Sequence, residues 1–321
     1  MKISNKILVT ALCIAAASCG KENDPEPYVP WRPEEVKEDS IALDKATRPM
    51  LLTEQASGKI VMIDQPTGKL AWDWNPAESN LSASQAEWFG LPDETKPIMD
   101  KSAVLVTASK GGVAIVNVTD KSVTFAAKPG GNPHSAEILP DGSVVVACSD
   151  GNKLVLYKKD GESIGTKAAF TLVMTAAHNV VWDKRRNCLW TASDGHIYKL
   201  SYDQSAPSLT QEYSYDLPGD NTMVHDMVPV YGKDILYVTT QQNVFSFNPE
   251  TGEISSVDIF QKKDIKSIST GPDGWPAICT RPTSTSYWTS EVVDFKGNRL
   301  FSFFKYRIYK ARWFTDQPFS Y

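Results

Sequence analysis

Residues 134–157 read HSAEILPDGSVVVACSDGNKLVLY, and the pattern of this stretch recurs along the chain. It contains three apolar runs, separated by a Pro-Asp-Gly turn at 140–142 and a Ser-Asp-Gly-Asn turn at 149–152. Short runs rich in Val, Leu and Ile between such turn residues are typical of β-strands joined as hairpins. The stretch is therefore predicted to form three strands of one antiparallel sheet.

Equivalent units begin at His134, His178 and His225, in steps of 44 and 47 residues. Further copies of the pattern are residues 178–200, 225–247 and 266–280, with partial copies at 104–116 and 50–64. Six units over residues 46–319 give a period of about 46 residues, which with four short strands per unit is typical of a β-propeller blade. The fold is predicted to be all-β, with residues 46–321 forming a six-bladed β-propeller.

The first unit lacks its innermost strand, whereas the chain has a spare strand at its other end. Residues 308–314 read IYKARWF and follow the fourth strand of the sixth unit. Closing the ring removes exposed sheet edges, which otherwise pair with other chains. We therefore expect residues 308–314 to supply the inner strand of blade 1 and to close the ring.

The composition is that of a folded globular protein rather than a disordered one. The chain has 321 residues, of which 41% are hydrophobic and 22% charged, and it contains 9 Trp. This length and apolar content are enough to bury a full core. The formal net charge is −5 and no stretch is rich in Lys or Arg, which argues against a nucleic-acid partner.

The first residues are predicted to be a lipoprotein signal peptide, residues 1–18. Lys2 and Lys6 precede the apolar run 7–17, which is too short to cross a bilayer. The sequence Ala-Ala-Ser-Cys at 16–19 resembles a bacterial lipobox, in which Cys19 is lipidated, although Ala16 replaces the usual Leu. An ordinary signal peptide cleaved near Ser18 is the alternative.

Residues 19–45 are predicted to be a lipid-attached tether. Residues 20–40 hold four Pro and seven acidic residues, a composition that stays extended and solvated. Acidic residues just after the lipid-bearing Cys resemble the surface-export signal of Bacteroidetes lipoproteins. We expect an outer-membrane lipoprotein held to the membrane only by its N-terminal lipid, with the cell surface favoured and the periplasmic face as the alternative.

Several strings along the chain resemble a Bacteroidetes family of uncharacterised lipoproteins with a six-bladed β-propeller domain. They are GNPHSAEILPDGSVVVA (131–147), AHNVVWD (177–183), VHDM (224–227), SKGGVAIV (109–116) and YKARWF (309–314). The likeness covers nearly all of residues 46–319. It implies a propeller fold and an envelope location, but it implies no activity.

Three cysteines, Cys148, Cys188 and Cys279, lie beyond the signal region, each in or beside an apolar run. Their odd number, different repeats and lack of CxxC or Cys/His zinc spacing favour buried thiols that pack as small hydrophobic groups.

The repeat predicts a ring of polar side chains at one mouth of the central channel. The inner strand of each blade lines this channel, so equivalent residues at the strand starts meet around one axis. These positions hold Tyr309, Glu94, His134, His178, His225 and Lys266 in blades 1 to 6, with Glu137, Asp226 and Arg312 one to three residues further in. All of them except Tyr309 are candidates for ligand binding.

Three imidazoles at equivalent positions could bind a divalent metal. Imidazole suits Zn, Mn, Fe or Ni, and His134, His178 and His225 are the candidate ligands. The alternative is a set of polar side chains that lines a wet channel. His196, on a third strand away from the axis, is expected to be an ordinary surface residue.

Two insertions place aromatic side chains on the same face. Residues 76–93 carry Trp88, with Ser84 and Glu87 predicted as the capping box of a short helix ending near Gly90. Residues 281–291 carry Trp288. Aromatic rings beside polar groups suit sugars, although tryptophan burial between blades is the competing explanation.

Three functional hypotheses follow. The first is an envelope lipoprotein that binds a glycan, glycopeptide or protein partner at the channel mouth. The second is a metal-assisted lyase or hydrolase acting on an acidic saccharide, with Lys266 or Arg312 holding the substrate anion. The third is a scaffold whose mouth is filled by side chains. No complete catalytic motif decides whether the protein is an enzyme.

The lipid anchor gives a direct prediction. Replacing Cys19 by Ala removes the acceptor thiol, so we expect the variant to incorporate no labelled palmitate and to leave the membrane fraction. The Cys148→Ala variant should keep both properties. Equal labelling of the Cys19→Ala variant and the unchanged protein would contradict a lipid on this residue.

Overall fold

The computed structural model describes residues 39–221, 223–283 and 285–321. The predicted signal peptide 1–18, the predicted lipidation site Cys19 and residues 20–38 of the predicted tether lie outside the described residues. At the start of the described part, Ile41 N donates to Leu70 O at 2.9 Å and Ser40 forms a bridge with Leu70. Residues 40–45, the end of the predicted tether, therefore contact blade 1.

The described residues form six four-stranded antiparallel sheets, and the predicted six-bladed β-propeller is confirmed. The strands of blade 1 are β1 (Pro49–Glu54), β2 (Lys59–Asp64), β3 (Lys69–Trp74) and β26 (Ile308–Trp313). Those of blade 2 are β4 (Pro92–Ile98), β5 (Ala103–Ala108), β6 (Val113–Asn117) and β7 (Val123–Ala127). Those of blade 3 are β8 (Pro133–Ile138), β9 (Val144–Cys148), β10 (Lys153–Tyr157) and β13 (Phe170–Val173), with the added hairpin β11 (Lys159–Asp160) and β12 (Ser163–Ile164).

The other three blades follow the same order from the axis outward. The strands of blade 4 are β14 (Val181–Asp183), β15 (Cys188–Ser193), β16 (His196–Asp203) and β17 (Ser208–Asp216). Those of blade 5 are β18 (Val224–Pro229), β19 (Leu236–Thr240), β20 (Val244–Phe247) and β21 (Ile254–Ser256). Those of blade 6 are β22 (Ser267–Ser269), β23 (Ile278–Thr280), β24 (Glu291–Asp294) and β25 (Arg299–Ser302).

Blade 1 combines strands from both ends of the propeller sequence. Strand β26 pairs antiparallel with β1, with Leu52 opposite Ala311 and Met50 opposite Trp313. The order β26-β1-β2-β3 places residues 308–313 at the inner edge of this sheet. The contact joins residues more than 250 positions apart in the sequence, as in the hydrogen bond from Lys310 N to Thr53 Oγ1.

The core consists of six apolar clusters, one between each pair of neighbouring blades. Strand β9 shows why its sequence is a continuous apolar run. Val144 and Val146 pack toward blade 2, whereas Val145 and Ala147 pack toward blade 4. Successive side chains of a strand point to opposite faces, so a sheet buried on both faces needs apolar residues throughout.

Helical structure is confined to short connections. The one α-helix of the described residues is α1 (Ala83–Ala86), and the 3-10 helices are Leu43–Lys45, Pro76–Glu78 and Glu87–Phe89. The predicted capping box was wrong by two residues, because Ser82 and Gln85 form it, although the helical segment does end at Gly90. A helix long and apolar enough to cross a bilayer does not occur among these residues.

The cysteine prediction is confirmed within the described residues. Cys148, Cys188 and Cys279 are free and buried, and each lies on the second strand of its blade. Burial raises the pKa of each thiol to about 12, which suppresses thiolate chemistry at neutral pH.

Removing residues 307–321 should abolish cooperative unfolding in urea, because blade 1 would lose its inner strand. Trp313→Ala, which keeps that strand but empties a fully buried site, should cost about 3–5 kcal/mol of unfolding free energy. Phe304→Ala is the matched control, because this aromatic side chain is 81% exposed and its loss should change stability by no more than about 0.5 kcal/mol. A sharp transition in the truncated chain would contradict the need for this strand.

Candidate functional site

The inner strands begin with β-bulges at the channel mouth. The register shifts between Pro92 and Glu94, between Pro133 and Ser135, and between Val224 and Asp226. The extra residues are Asp93, His134 and His225. A bulge leaves one residue out of the ladder and turns its side chain, a device frequent at barrel rims and functional sites.

Blade 1 has the corresponding irregularity on β26, where Tyr309 and Lys310 together lie opposite Thr53. The Thr53 hydroxyl accepts a hydrogen bond from Lys310 N at 2.8 Å, which gives this displaced backbone N–H group a partner. Thr280 Oγ1 donates to Tyr309 O at 2.9 Å. Side chains of two blades therefore fix the backbone from which Tyr309 extends.

Six residues, one from each blade, form what we call the mouth ring. In blade order they are Tyr309, Asp93, His134, His178, His225 and Lys266. The ring centroids of His134 and His178 are 4.5 Å apart, and those of His178 and His225 are 6.3 Å apart. Lys266 Nζ lies 2.9 Å from His225 Nε2, and the ring of Tyr309 lies 6.0 Å from that of His134.

The position expected for Glu94 in this ring belongs to Asp93. Pro92 pairs with Ala108 as Pro133 pairs with Cys148, so the residue equivalent to His134 is Asp93. Ser109 Oγ lies 2.8 and 2.9 Å from the two oxygens of the Asp93 carboxyl group. The bulge at the start of β4 adds one residue, so the ring position that the repeat predicts for Glu94 is occupied by Asp93.

The three imidazoles of the mouth ring are held in their uncharged form. Burial lowers the pKa of His178 to about 4, and burial together with the neighbouring His178 lowers that of His134 well below its ordinary value. Burial and the adjacent Lys266 lower the pKa of His225 further. Charged imidazolium is costly here, because the side chains are withdrawn from water and lie beside amines and one another.

Hydrogen bonds select the tautomer of two of these imidazoles. His134 Nδ1 lies 3.2 Å from Asn132 O, and His178 Nδ1 lies 3.0 Å from Ala176 O. Since a carbonyl oxygen can only accept, each Nδ1 carries the proton and each Nε2 keeps a lone pair. Two neighbouring imidazoles of the ring thus offer hydrogen-bond acceptors.

Burial also shifts the pKa values of the other three residues of the ring. Burial raises the pKa of Asp93 well above its ordinary value, which favours the protonated carboxyl group. Burial also raises the pKa of Tyr309 and keeps its phenol protonated. Lys266 is the cation of the ring, although burial lowers its pKa to about 8.

The predicted metal ligands do not form a metal centre as they stand. Within residues 39–221, 223–283 and 285–321, no group of three His, Cys, Asp or Glu side chains has a geometry that could hold a metal ion. The amine of Lys266 lies at hydrogen-bond distance from Nε2 of His225 and therefore occupies that imidazole nitrogen. The three imidazoles are close neighbours, but they do not converge on a metal.

Beneath the mouth ring lies a group of buried ion pairs, which we call the axial ion network. Arg312 Nη2 donates to Asp226 Oδ1 at 2.6 Å and also to Glu94 Oε1. Lys310 Nζ lies 3.1 Å from Asp226 Oδ1 and 3.6 Å from Glu94 Oε1. Cations of blade 1 thus join carboxylates of blades 2 and 5.

Burial opposes ionisation of Glu94, but Lys310, Lys96 and Arg312 outweigh it and lower its pKa. The charge of Asp226 is further compensated by Ile268 N, which donates to Oδ2 at 3.1 Å. Of the predicted ligand-binding residues, Arg312 therefore contacts both Glu94 and Asp226.

Glu137 also belongs to the axial ion network. Lys96 Nζ lies 3.5 Å from Glu137 Oε2 and donates to Val180 O at 2.7 Å. Tyr321 donates its phenolic hydrogen to Glu137 Oε1, and Phe319 packs in the cluster between blades 4 and 5. Burial raises the pKa of Glu137. Residues 317–321 line a small cavity with Glu137 and Arg312.

The two predicted aromatic residues are partly buried on the insertions. Trp88 packs against the turn between β5 and β6, where a side chain at Gly112 would meet Trp88 O at 2.9 Å. The guanidinium carbon of Arg307 lies 5.1 Å from the centroid of Trp288. Tyr287 lies beside the mouth ring, since its ring centroid lies 6.4 Å from that of Tyr309.

Sequence reasoning missed Asp93, Lys96 and Lys310. The signal for Lys310 was present, since Lys and Arg two apart in an apolar strand share one face. Lys96 likewise lies two residues after Glu94 on β4. Asp93 carried no such signal, because only the bulge brings it into the ring.

Arg312→Met should destabilise the protein by about 3–5 kcal/mol at pH 7, because it removes one of the cations that neutralise two buried carboxylates. The lowered pKa of Glu94 stabilises the fold above the ordinary Glu range, and this contribution is lost as the pH falls. The difference from the unchanged protein should therefore narrow below about pH 4.

Urea unfolding at pH 7 and pH 3.5 measures both effects. Arg185→Met is the control, because Arg185 is 64% exposed in its pair with Asp234 and should contribute less than about 1 kcal/mol. Equal losses in the two variants would contradict a structural role for the axial ion network.

Solved structures share the fold at low sequence identity. A protein of unknown function from Bacteroides caccae is similar at 13% identity and a TM-score of 0.55, covering 83% of this chain and 98% of that one. A putative 6-phosphogluconolactonase from Bacteroides fragilis NCTC 9343 is similar at 14% identity and a TM-score of 0.56, covering 81% and 82%. Virginiamycin B lyase from Staphylococcus aureus is similar at 13% identity and a TM-score of 0.50, covering 78% and 82%.

These identities support the propeller architecture alone, because one fold hosts many functions. No curated protein matches the sequence. A family profile described as a family of unknown function matches residues 3–321. The match spans almost the whole sequence, and the chain therefore belongs to the family of unknown function DUF6528.

Proposed function

We propose that this protein is a cell-envelope lipoprotein whose propeller binds an acidic glycan, free or on a glycopeptide, at the mouth ring. The observation that carries the proposal is the ring itself, in which uncharged imidazoles and one amine from different blades meet at the channel mouth. Polar groups that converge on one opening are the usual mark of a binding site.

Hydroxyl groups of a sugar match the uncharged imidazoles. His134 and His178 each keep a lone pair on Nε2, which can accept a hydrogen bond from a hydroxyl group. Tyr287 is 45% exposed beside the buried Tyr309 and offers an aromatic surface for the C–H face of a sugar ring.

The charge of the ring favours an anionic group on the ligand. Lys266 is positively charged below a pKa of about 8, whereas the raised pKa of Asp93 reduces the opposing negative charge. Arg312, the other cation predicted to hold an anion, is engaged by Asp226 and Glu94. Lys266 is therefore the residue that we assign to a carboxylate or sulfate of the glycan.

The proposed location follows from the lipobox-like residues 16–19 and the acidic segment after them. An outer-membrane anchor would hold the propeller near envelope glycans and envelope proteins. The similar structures include a lyase and a putative lactonase by title, and these differing activities do not choose a reaction for this chain.

Glycan-array screening followed by titration calorimetry tests the proposal. We expect His134→Ala to weaken binding at least about tenfold, the usual effect of about 1.4 kcal/mol lost. His196→Ala is the matched control, because His196 is 40% exposed and pairs with Asp216 on the outer strands of blade 4. Affinity for an acidic glycan should fall between pH 7 and pH 9, since Lys266 loses its charge as the pH rises through its pKa of about 8.

A blank array with acidic and neutral glycans, or equal losses in the two histidine variants, would count against this site.

The second candidate function is metal-assisted cleavage of an acidic saccharide by a lyase or hydrolase. It is favoured by His134 and His178, whose Nδ1 groups donate to carbonyls as metal-bound imidazoles do. Zn²⁺ uptake in the same calorimeter that is lost in the His225→Ala variant would favour this candidate, because the metal would then have displaced Lys266 from that imidazole.

A further inference from the structure

The channel has a second opening where the inner strands end, which we call the far mouth. The mouth ring lies where those strands begin, whereas β8 ends at Ile138, β18 at Pro229 and β22 at Ser269. Residues 315–321 follow β26 at this end of the channel, and we call them the strap.

The strap crosses the far mouth. It leaves blade 1 after Trp313, and Phe319 is buried in the apolar cluster between blades 4 and 5. Tyr321 packs against the cluster between blades 2 and 3 and donates its phenolic hydrogen to Glu137. Since blade 4 lies opposite blade 1 in a ring of six, these contacts lie on both sides of the axis, and the strap covers the opening.

Few polar contacts join the strap to the blades. Besides the bond of the Tyr321 phenol, Phe319 O accepts from Lys184 N at 3.3 Å, and Lys184 Nζ donates to Tyr321 O. Asp316 pairs with Lys101, and both of these side chains are exposed. None of the strap residues, all of which the structure describes, belongs to a β-strand, whereas β26 before them pairs with β1.

The strap does not fill the space around it. A cavity of about 30 Å³ lies between residues 317–321 and the side chains of Lys96 and Arg312, and a cleft of about 290 Å³ lies beside Phe319. Thr315 Oγ1 is buried without a hydrogen-bond partner among the described residues. A segment with few ties and incomplete packing can open locally while the blades stay folded.

We propose that the strap is a displaceable plug, and that the far mouth beneath it is a binding site for an aromatic peptide segment of a partner protein. The contacts of the strap define what the site accepts. They are an aromatic ring between blades 4 and 5, a phenol on Glu137 two residues later, and a backbone carbonyl on Lys184.

A partner segment with aromatic residues at alternate positions, the second of them a tyrosine, matches these three contacts. Aromatic anchors in fitted pockets carry most of the binding energy of such interfaces. The inference goes beyond the proposed function, because this site lies at the other end of the channel from the mouth ring and binds a protein segment.

Hydrogen exchange on the purified full chain tests whether the strap opens by itself. Relative to their rates in an unfolded peptide, we expect the amides of Ser320 and Tyr321 to exchange at least about 100-fold faster than that of Trp313, which donates to Ser269 Oγ on the inner strand of blade 6. Low concentrations of urea should accelerate exchange at Trp313 and leave the strap unchanged, because only the inner strand requires global unfolding.

A fluorescein-labelled peptide with the sequence of residues 315–321 tests the site beneath the strap. In fluorescence anisotropy, the full-length Tyr321→Ala variant should bind this peptide at least about tenfold more tightly than the unchanged protein, because its weakened strap competes less. Phe304→Ala is the matched control, since this aromatic side chain is 81% exposed, and it should bind as the unchanged protein does. A peptide with Ala in place of both aromatic residues should not bind.

A Tyr321→Ala variant that melts cooperatively but binds the peptide no more tightly than Phe304→Ala would overturn the inference. Equal protection of Tyr321 and Trp313 in the unchanged protein would do the same, and this measurement needs no variant. A concentration-dependent dimer that the peptide dissociates would assign the site to a second copy of the chain and overturn the partner segment. His134→Ala should leave peptide binding unchanged, so failure of glycan binding and failure of peptide binding are distinguishable.

Discussion

The propeller depends on the charges that meet along its axis. Lys310 and Arg312 of the inner strand of blade 1 neutralise Glu94 of blade 2 and Asp226 of blade 5. Burying a charge without a partner is far more costly than burying an apolar group, so each member requires the others to be in place. The same ion pairs lie in the channel directly beneath the mouth ring.

The architecture could be predicted from the sequence because the pattern of strands and turns repeats in every blade. Apolar runs at a period near 46 residues predicted the blades, and residues buried on both faces explain why those runs lack polar alternation. The contacts of the site were harder to predict because they do not follow the repeat. A bulge moves the ring position from Glu94 to Asp93, and pairing across the axis determines that Arg312 contacts carboxylates rather than solvent.

The mouth ring shows how a propeller can keep buried polar side chains uncharged at its channel mouth. Each imidazole is withdrawn from water and placed beside amines or other imidazoles, so protonation is disfavoured from several directions. A carboxyl group and a phenol in the same ring keep their protons for the related reason of burial. The result is a set of hydrogen-bond donors and acceptors with fixed orientation beside one amine.

The pairing of β1 with β26 also has a consequence for biosynthesis. Strand β1 cannot pair with β26 until nearly all of the propeller has been synthesised, and Glu94 and Asp226 are made 218 and 86 residues before Arg312. Contacts this distant in sequence slow folding, and a nascent chain carries an open strand edge meanwhile.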